Sequence, residues 1–191
     1  SIATLNPDGA PRIMFAGHCD ELGFIVRYID DKGYLYFSPI GGHDKAIIAG
    51  RRVKICTGSG EVPGVTGKKA IHMMTPEDRR KVPEFENMWI DIGVSSKSEA
   101  KELVSVGDPI VYDVAFQAIR GDIATSRAFD NKTGAFAVIE AMRLLKDDDL
   151  EASVHSVATV QEEIGLRGAK TSAFAVAVSY THLTLPTMEL V

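Results

Sequence analysis

Val154-His155-Ser156-Val157-Ala158-Thr159-Val160-Gln161-Glu162-Glu163 is the stretch on which the fold turns. Residues 154–160 are mostly apolar and few enough for a buried strand. From Gln161 the chain is abruptly polar. Side chains alternate along a strand, so two adjacent carboxylates cannot both face one side of it. Both can face one place if the strand ends there and the chain turns. In open α/β sheets, ligands bind beyond the carboxyl ends of the strands. A strand that stops on an acidic pair is therefore a candidate edge of a site. A solvated acidic loop is the other reading of the same pair.

Upstream, Lys132 to Lys146 has a helical pattern. Ala135, Ile139, Met142 and Leu145 form one stripe, with Val138 and Ala141 beside it. Lys146 suits the C-terminal end of the helix dipole, and Asp147-Asp148-Asp149 reads as the exit turn. Asp130-Asn131 lies directly ahead of the helix. Both residue types are favoured caps; the alternative is a carboxylate aimed out of the sheet edge to bridge cations. Downstream, Thr171 to Val178 is a helix or the start of a strand. Near the beginning, Ile2 to Leu5 reads as a strand and Leu5 to Pro11 as a turn. The apolar run Ile13-Met14-Phe15-Ala16 reads as a buried strand leading into His18-Cys19-Asp20. Residues two apart in a strand share a face, so His18 and Asp20 point together and Cys19 points away. An imidazole that binds metal commonly needs a carboxylate nearby. A structural histidine at a strand end is the alternative.

The middle of the chain differs. Gly23 to Ile29 and Tyr34 to Ile40 flank Asp30-Asp31-Lys32-Gly33, a hairpin signal. Short β-type runs follow at Arg52 to Cys56, Val62 to His72, Met88 to Val94 and Pro109 to Val114. Thr75-Pro76-Glu77-Asp78 has a helix start, and Ser96-Lys97-Ser98-Glu99 fits a capping box. Many short strands with turn signals predict a small β-barrel or sandwich. The expected organisation is an α/β domain made of 1–43 and 119–178, interrupted by a β-rich insert at 44–118.

The chain has 191 residues, 45% hydrophobic and 25% charged, the profile of a globular protein rather than a disordered one. Its longest apolar run, Ala173 to Val178, is far short of the roughly 20 residues a membrane helix needs. No basic start with an apolar core marks a signal peptide. The net charge of −5 argues against nucleic acid as a partner. Cys19 and Cys56 form no framework, which favours a reducing cytoplasm. Ser1 opens directly into a strand, and 179–191 does not continue the pattern before it. The expectation is a fragment with a non-native tail at 179–191.

Taken together, His18, Asp20, Asp130, Glu162 and Glu163 would bring an imidazole and four carboxylates to one place. Without a cation such an array is costly, because like charges raise one another's pKa. A divalent cation reverses that sign, and the donor types suit zinc, cobalt or manganese. The motifs Ala16-Gly17-His18-Cys19-Asp20-Glu21-Leu22-Gly23-Phe24, Pro39-Ile40-Gly41-Gly42, Asp130-Asn131-Lys132-Thr133-Gly134 and Ala158-Thr159-Val160-Gln161-Glu162-Glu163-Ile164-Gly165-Leu166-Arg167-Gly168-Ala169 resemble the glutamyl aminopeptidase family of co-catalytic metallopeptidases. That family includes tetrahedral and deblocking aminopeptidases, and some members carry the name endoglucanase M. The resemblance runs through Val178 and covers the insert at Gly64-Val65-Thr66-Gly67, Trp89-Ile90-Asp91-Ile92-Gly93 and Val106-Gly107-Asp108.

The resemblance implies a zinc-peptidase-like α/β domain with an inserted β-barrel. It implies release of N-terminal residues from peptides by a water activated between two divalent ions per subunit, zinc or cobalt. His18 would ligate the first metal, with the Asp20 carboxylate behind it. Asp130 would bridge both metals, Glu162 would be the general base, and Glu163 would ligate the second metal. Cys19 has no role, and His43, His72 and His155 are structural. Family members assemble through the insert into homo-oligomers, commonly dodecamers. The family's further acidic ligand and late histidine have no counterpart: no acid appears at Ser179-Tyr180, and His182 comes too early. The fragment is therefore expected to hold about half of each metal's ligands and to be crippled. Two other readings stand beside this one: a glycoside hydrolase using paired carboxylates, and a non-catalytic oligomerisation piece.

Overall fold

The computed structural model describes residues 1–178; the expected non-native tail and His182 lie outside the described residues. The chain divides into two units, Glu21–Phe129 and a discontinuous one made of Ser1–Asp20 and the chain from Asp130 onward. Both belong to a mixed α/β architecture, as the sequence implies.

In the discontinuous unit, β1 (Ile2–Leu5) and β2 (Arg12–His18) come first. The second unit then supplies β3 (Gly23–Ile29), β4 (Leu35–Ile40), β5 (Arg52–Thr57), β6 (Gly60–Lys68), β7 (Met88–Asp91), α1 (Lys97–Leu103) and β8 (Pro109–Tyr112). It ends with a hairpin of β9 (Gln117–Arg120) and β10 (Ile123–Thr125). The chain returns to the first unit through α2 (Phe129–Leu145), β11 (Ser153–Thr159) and α3 (Arg167–Val176).

The second unit is a closed barrel in the order β3-β4-β7-β6-β5-β8. Closure removes unpaired strand edges, and strand alternation turns one face of each strand inward. Phe24, Val26, Leu35, Phe37, Val53, Ile55, Met88, Ile90 and Ile110 are buried there. Phe24 and Phe37 meet edge-on at 4.8 Å, a favoured aromatic geometry. His43 stacks on Phe24 at 4.3 Å. Its Nε2 lies 2.8 Å from the Gly23 carbonyl, so that nitrogen donates and Nδ1 is left to accept from the Tyr112 hydroxyl at 3.3 Å. It is the structural histidine the sequence suggested. Burial pushes the Tyr112 phenol above its ordinary value. Ser96 caps α1 as expected, its Oγ accepting from the Glu99 amide.

Several boundaries differ from the sequence expectation. The hairpin of β3 and β4, expected in the α/β part, belongs to the barrel because β3 pairs with β8 and β4 with β7. The division therefore falls at 20/21 and 129/130 rather than at 43/44 and 118/119. Thr75 and Asp78 do exchange capping hydrogen bonds, but only a 3-10 turn at Asp78–Arg80 follows. The β9–β10 hairpin was not anticipated; its residues are largely exposed, so no burial pattern announces it.

The discontinuous unit holds a three-stranded sheet in the order β1-β11-β2. β1 runs antiparallel to β11, and β2 runs parallel to it. β11 is central and nearly all buried. β2 has one paired edge, and its apolar run is more open than expected, with Phe15 41% exposed. α2 buries Ala135 and Met142, whereas Ile139, placed in the same stripe by periodicity, is 57% exposed. At Gly17 the backbone of α2 lies against β2, with no room for a side chain between them.

His155 in β11 lies between Thr4 Oγ1 (3.0 Å from Nδ1) and Ser153 Oγ (3.0 Å from Nε2). Hydroxyls can donate or accept, so these bonds do not dictate its charge. Burial, and then the Arg12 guanidinium, push the imidazole below its ordinary value. The unfolded chain therefore takes up this proton more readily than the folded one. The resulting stability is present above about pH 6.5 and is lost as pH falls through the lower, folded value. Thermal melts between pH 7 and pH 5 are expected to show this loss, and His155→Gln is expected to reduce the slope.

Candidate metal centre

β2 and β11 are parallel and in register, with His18 beside Thr159 at their carboxyl ends. The Cys19 amide donates to the Thr159 carbonyl at 2.9 Å and continues the ladder by one residue. His18 is 6% exposed. Its Nδ1 lies 3.0 Å from the main-chain carbonyl of Asp20. A carbonyl only accepts, so Nδ1 carries a proton, and Nε2 is left to face the acids, of which Asp130 is its hydrogen-bond partner. That second nitrogen faces Asp130 Oδ1 at 3.1 Å and Glu162 Oε2 at 3.5 Å.

Beyond β11 the chain turns as the acidic pair required. Gln161 has φ of +59°, a left-handed conformation that breaks strand alternation. Glu162 and Glu163 follow, and their amides both donate to Asp20. The Glu162 N–H reaches Oδ1 at 3.2 Å and the Glu163 N–H reaches Oδ2 at 3.1 Å. The amides of Gly165 and Leu166 close the turn on the Glu162 carbonyl, both at 2.9 Å, before α3 begins.

The two readings of Asp130-Asn131 are divided between the residues. Asp130 (φ −86°, ψ 105°) and Asn131 (φ −129°, ψ 40°) are not helical. Asn131 Oδ1 accepts the Gly134 amide at 2.8 Å, so Asn131 is the cap. Asp130, one residue earlier, leaves its side chain 84% exposed with one oxygen against His18. Composition alone could not assign these roles, because both residue types cap equally well.

All five singled-out residues thus meet at the carboxyl ends of β2 and β11 or at the entry to α2. His18, Glu162 and Glu163 offer ligand atoms that all lie within 4.8 Å of one another. Asp130 is not in that trio, although it is closer to His18 Nε2 than Glu162 is. Two donors about 2.1 Å from one ion, at bond angles near 90–110°, stand roughly 3.0–3.4 Å apart. The 3.1 Å separation of His18 Nε2 from Asp130 Oδ1 falls in that range, and Glu162 Oε2, at 3.5 Å, lies just outside it. The Glu163 carboxyl is pushed above its ordinary value, first by burial and then by the charges of Asp130, Glu162 and Asp20, with His18 opposing. A divalent cation would relieve this crowding of acids around the imidazole, so the donor set fits a metal. Cys19 is exposed, and His72 and His155 lie elsewhere.

The family model described as M42 glutamyl aminopeptidase matches residues 1–183. The lysyl aminopeptidase of Pyrococcus furiosus is 34% identical over 169 residues, which are 87% of this chain and 48% of that protein. A solved TET aminopeptidase from the marine sediment archaeon Thaumarchaeota archaeon SCGC AB-539-E09 is 43% identical. It superposes with a TM-score of 0.87 over 93% of this chain and 51% of its own. Pyrococcus horikoshii TET1 peptidase, a protein that can assemble into a tetrahedron or a large octahedral shell, is 38% identical. Its TM-score is 0.79, over 90% of this chain and 52% of its own. The chain spans about half the length of the curated relatives it matches.

Proposed function

We propose that this chain, which belongs to the M42 glutamyl aminopeptidase family, carries one part of the active site of a metal-dependent aminopeptidase that releases N-terminal residues from peptides. The observation that carries this is the meeting of Asp130 and Glu162 at one imidazole nitrogen of His18, with Glu163 in the same cluster. His18, through Nε2, and the carboxylates of Asp130 and Glu163 would hold two divalent ions, zinc or cobalt, with Asp130 shared between them. Such ions polarise a scissile carbonyl and lower the pKa of a water toward neutrality. Glu162 is the general base. It takes the proton of the water that adds to the carbonyl carbon, and it returns that proton to the amine as the C–N bond breaks. The Asn131 cap fixes the start of α2 and so the direction from which Asp130 enters. The relatives are about twice as long, so further ligands and the pockets that choose the N-terminal residue would come from sequence beyond this match.

The paired-carboxylate glycoside hydrolase reading leaves the buried His18 without work, because that chemistry needs no imidazole between its acids. We further propose self-association, supported by the assembly of Pyrococcus horikoshii TET1 and by its superposition over 90% of this chain. Among the described residues no helix is long and apolar enough to cross a membrane.

Metal content separates these readings. The chain is expected to bind added zinc weakly in a titration, and His18→Ala is expected to abolish that binding. In a polypeptide of the relatives' length carrying this segment, a chelator should stop peptide hydrolysis and added zinc or cobalt should restore it. Hydrolysis that ignores chelation would overturn the metal reading.

A further inference from the structure

Asp20 touches both halves of the cluster, and it does so with different atoms. Its carbonyl oxygen is 3.0 Å from His18 Nδ1, whereas its nearer carboxylate oxygen stands at 3.6 Å from the same nitrogen. Both carboxylate oxygens are instead engaged by successive amides, those of Glu162 and Glu163. We infer that the Asp20 carboxylate is a positioning group for the Gln161–Glu163 turn, and that the ring of His18 is oriented by the Asp20 main chain.

The physical case begins with the strand end. β11 stops at Thr159, so the amides of 162 and 163 have no ladder partner. The left-handed Gln161 directs both N–H groups into one concavity, the kind of paired-amide nest that takes an anion. A carboxylate that accepts one N–H on each oxygen makes two charge-assisted bonds. Those bonds spread the Asp20 charge onto the backbone, which lets a fourth carboxylate stand beside Asp130, Glu162 and Glu163. They also fix the backbone of two adjacent acids whose side chains would otherwise point to opposite sides. The side chain of Asp20 therefore sets where the base and the ligand point. The imidazole needs only a carbonyl acceptor, which any residue at position 20 would supply.

This deepens the metallopeptidase reading by naming what holds its base and ligand, but the clamp belongs to the metal-free chain and is tested there. Amide hydrogen exchange of the full 191-residue chain, followed by NMR without metal, should show protected amides at Glu162 and Glu163. Unprotected amides in the unsubstituted chain would overturn the inference with no variant needed. In Asp20→Ala both amides should lose about tenfold or more of their protection. In the near-isosteric Asp20→Asn one amide should keep its protection, because a carboxamide offers one acceptor oxygen. Nδ1 of His18 should keep its proton in every variant, because the main-chain carbonyl of residue 20 remains. Loss of the Nδ1 proton in Asp20→Ala, with the 162 and 163 amides unchanged, would instead assign the carboxylate to the imidazole. Zinc affinity, read by competition with a chromogenic chelator, should fall about 10–100-fold in Asp20→Ala. An intact clamp in a chain that binds no zinc would sink the metal reading alone. Zinc affinity unchanged by loss of the clamp would sink this one.

Discussion

Glu162→Gln is expected to reduce peptide hydrolysis about 10²–10⁴-fold while leaving metal content unchanged. Glutamine has nearly the shape of glutamate, so the turn at Gln161 and the hydrogen bond from the residue 162 amide to Asp20 should survive. What is lost is the ability to accept a proton. The water would then have to surrender its proton without a base, and the amine would leave without an acid. His18, Asp130 and Glu163 remain to hold metal. The substitution also removes one of the negative charges that raise the Glu163 carboxyl, which favours its ionised form. The measurement is turnover of an N-terminal amide substrate beside elemental analysis of the same sample, in a polypeptide of the relatives' length. A competing outcome has a structural basis: Glu162 is one of the three groups whose ligand atoms cluster. If metal leaves together with activity, Glu162 is a ligand rather than the base. If turnover is unchanged, it is neither.

Local signals carried much of the architecture. β1 and β3 fall where their runs predicted, and α2 begins where Asp130-Asn131 suggested. Periodicity reports which residues want burial, not which neighbours exist to bury them. Ile139 and the Ile13–Ala16 run read as core, yet among the described residues β2 has one strand beside it and Ile139 is exposed. The domain boundary was misplaced for a related reason. The β3–β4 hairpin is local, but its membership in the barrel depends on β8, about 70 residues further on. The candidate site was legible because its residues sit at element ends, where strand and cap rules say side chains leave the regular pattern. Its wiring was not. No spacing rule distinguishes an aspartate that orients a ring with its carboxylate from one that uses its carbonyl, because that difference lies in one backbone turn at Gln161.

The site's two sides are joined by an approach that sequence composition does not reveal, and Gly17→Ala tests it. A Cβ at position 17 would lie 2.3 Å from the Ala135 nitrogen, 2.5 Å from the Gly134 carbonyl carbon and 2.7 Å from Ala135 Cα. All three are backbone atoms, so no side chain can rotate away, and the first turn of α2 must move off β2. Overpacking of this kind costs about 1–3 kcal/mol and sometimes more, and a clash with main chain on one side belongs at the upper end. A domain's whole stability is about 5–15 kcal/mol, so a loss of this size takes a large share of it. The same displacement would carry Asp130, at the entry to α2, away from His18 in the next position of β2. The expected result is a loss of about 3 kcal/mol confined to Ser1–Asp20 and the chain from Asp130, with metal affinity falling alongside. Amide exchange resolves it residue by residue, because the barrel residues, with their own core, serve as an internal reference. Equal protection in variant and parent at Ala135 and Val157 would mean that α2 does not rest on Gly17. Asp130 would then need another anchor to reach the imidazole.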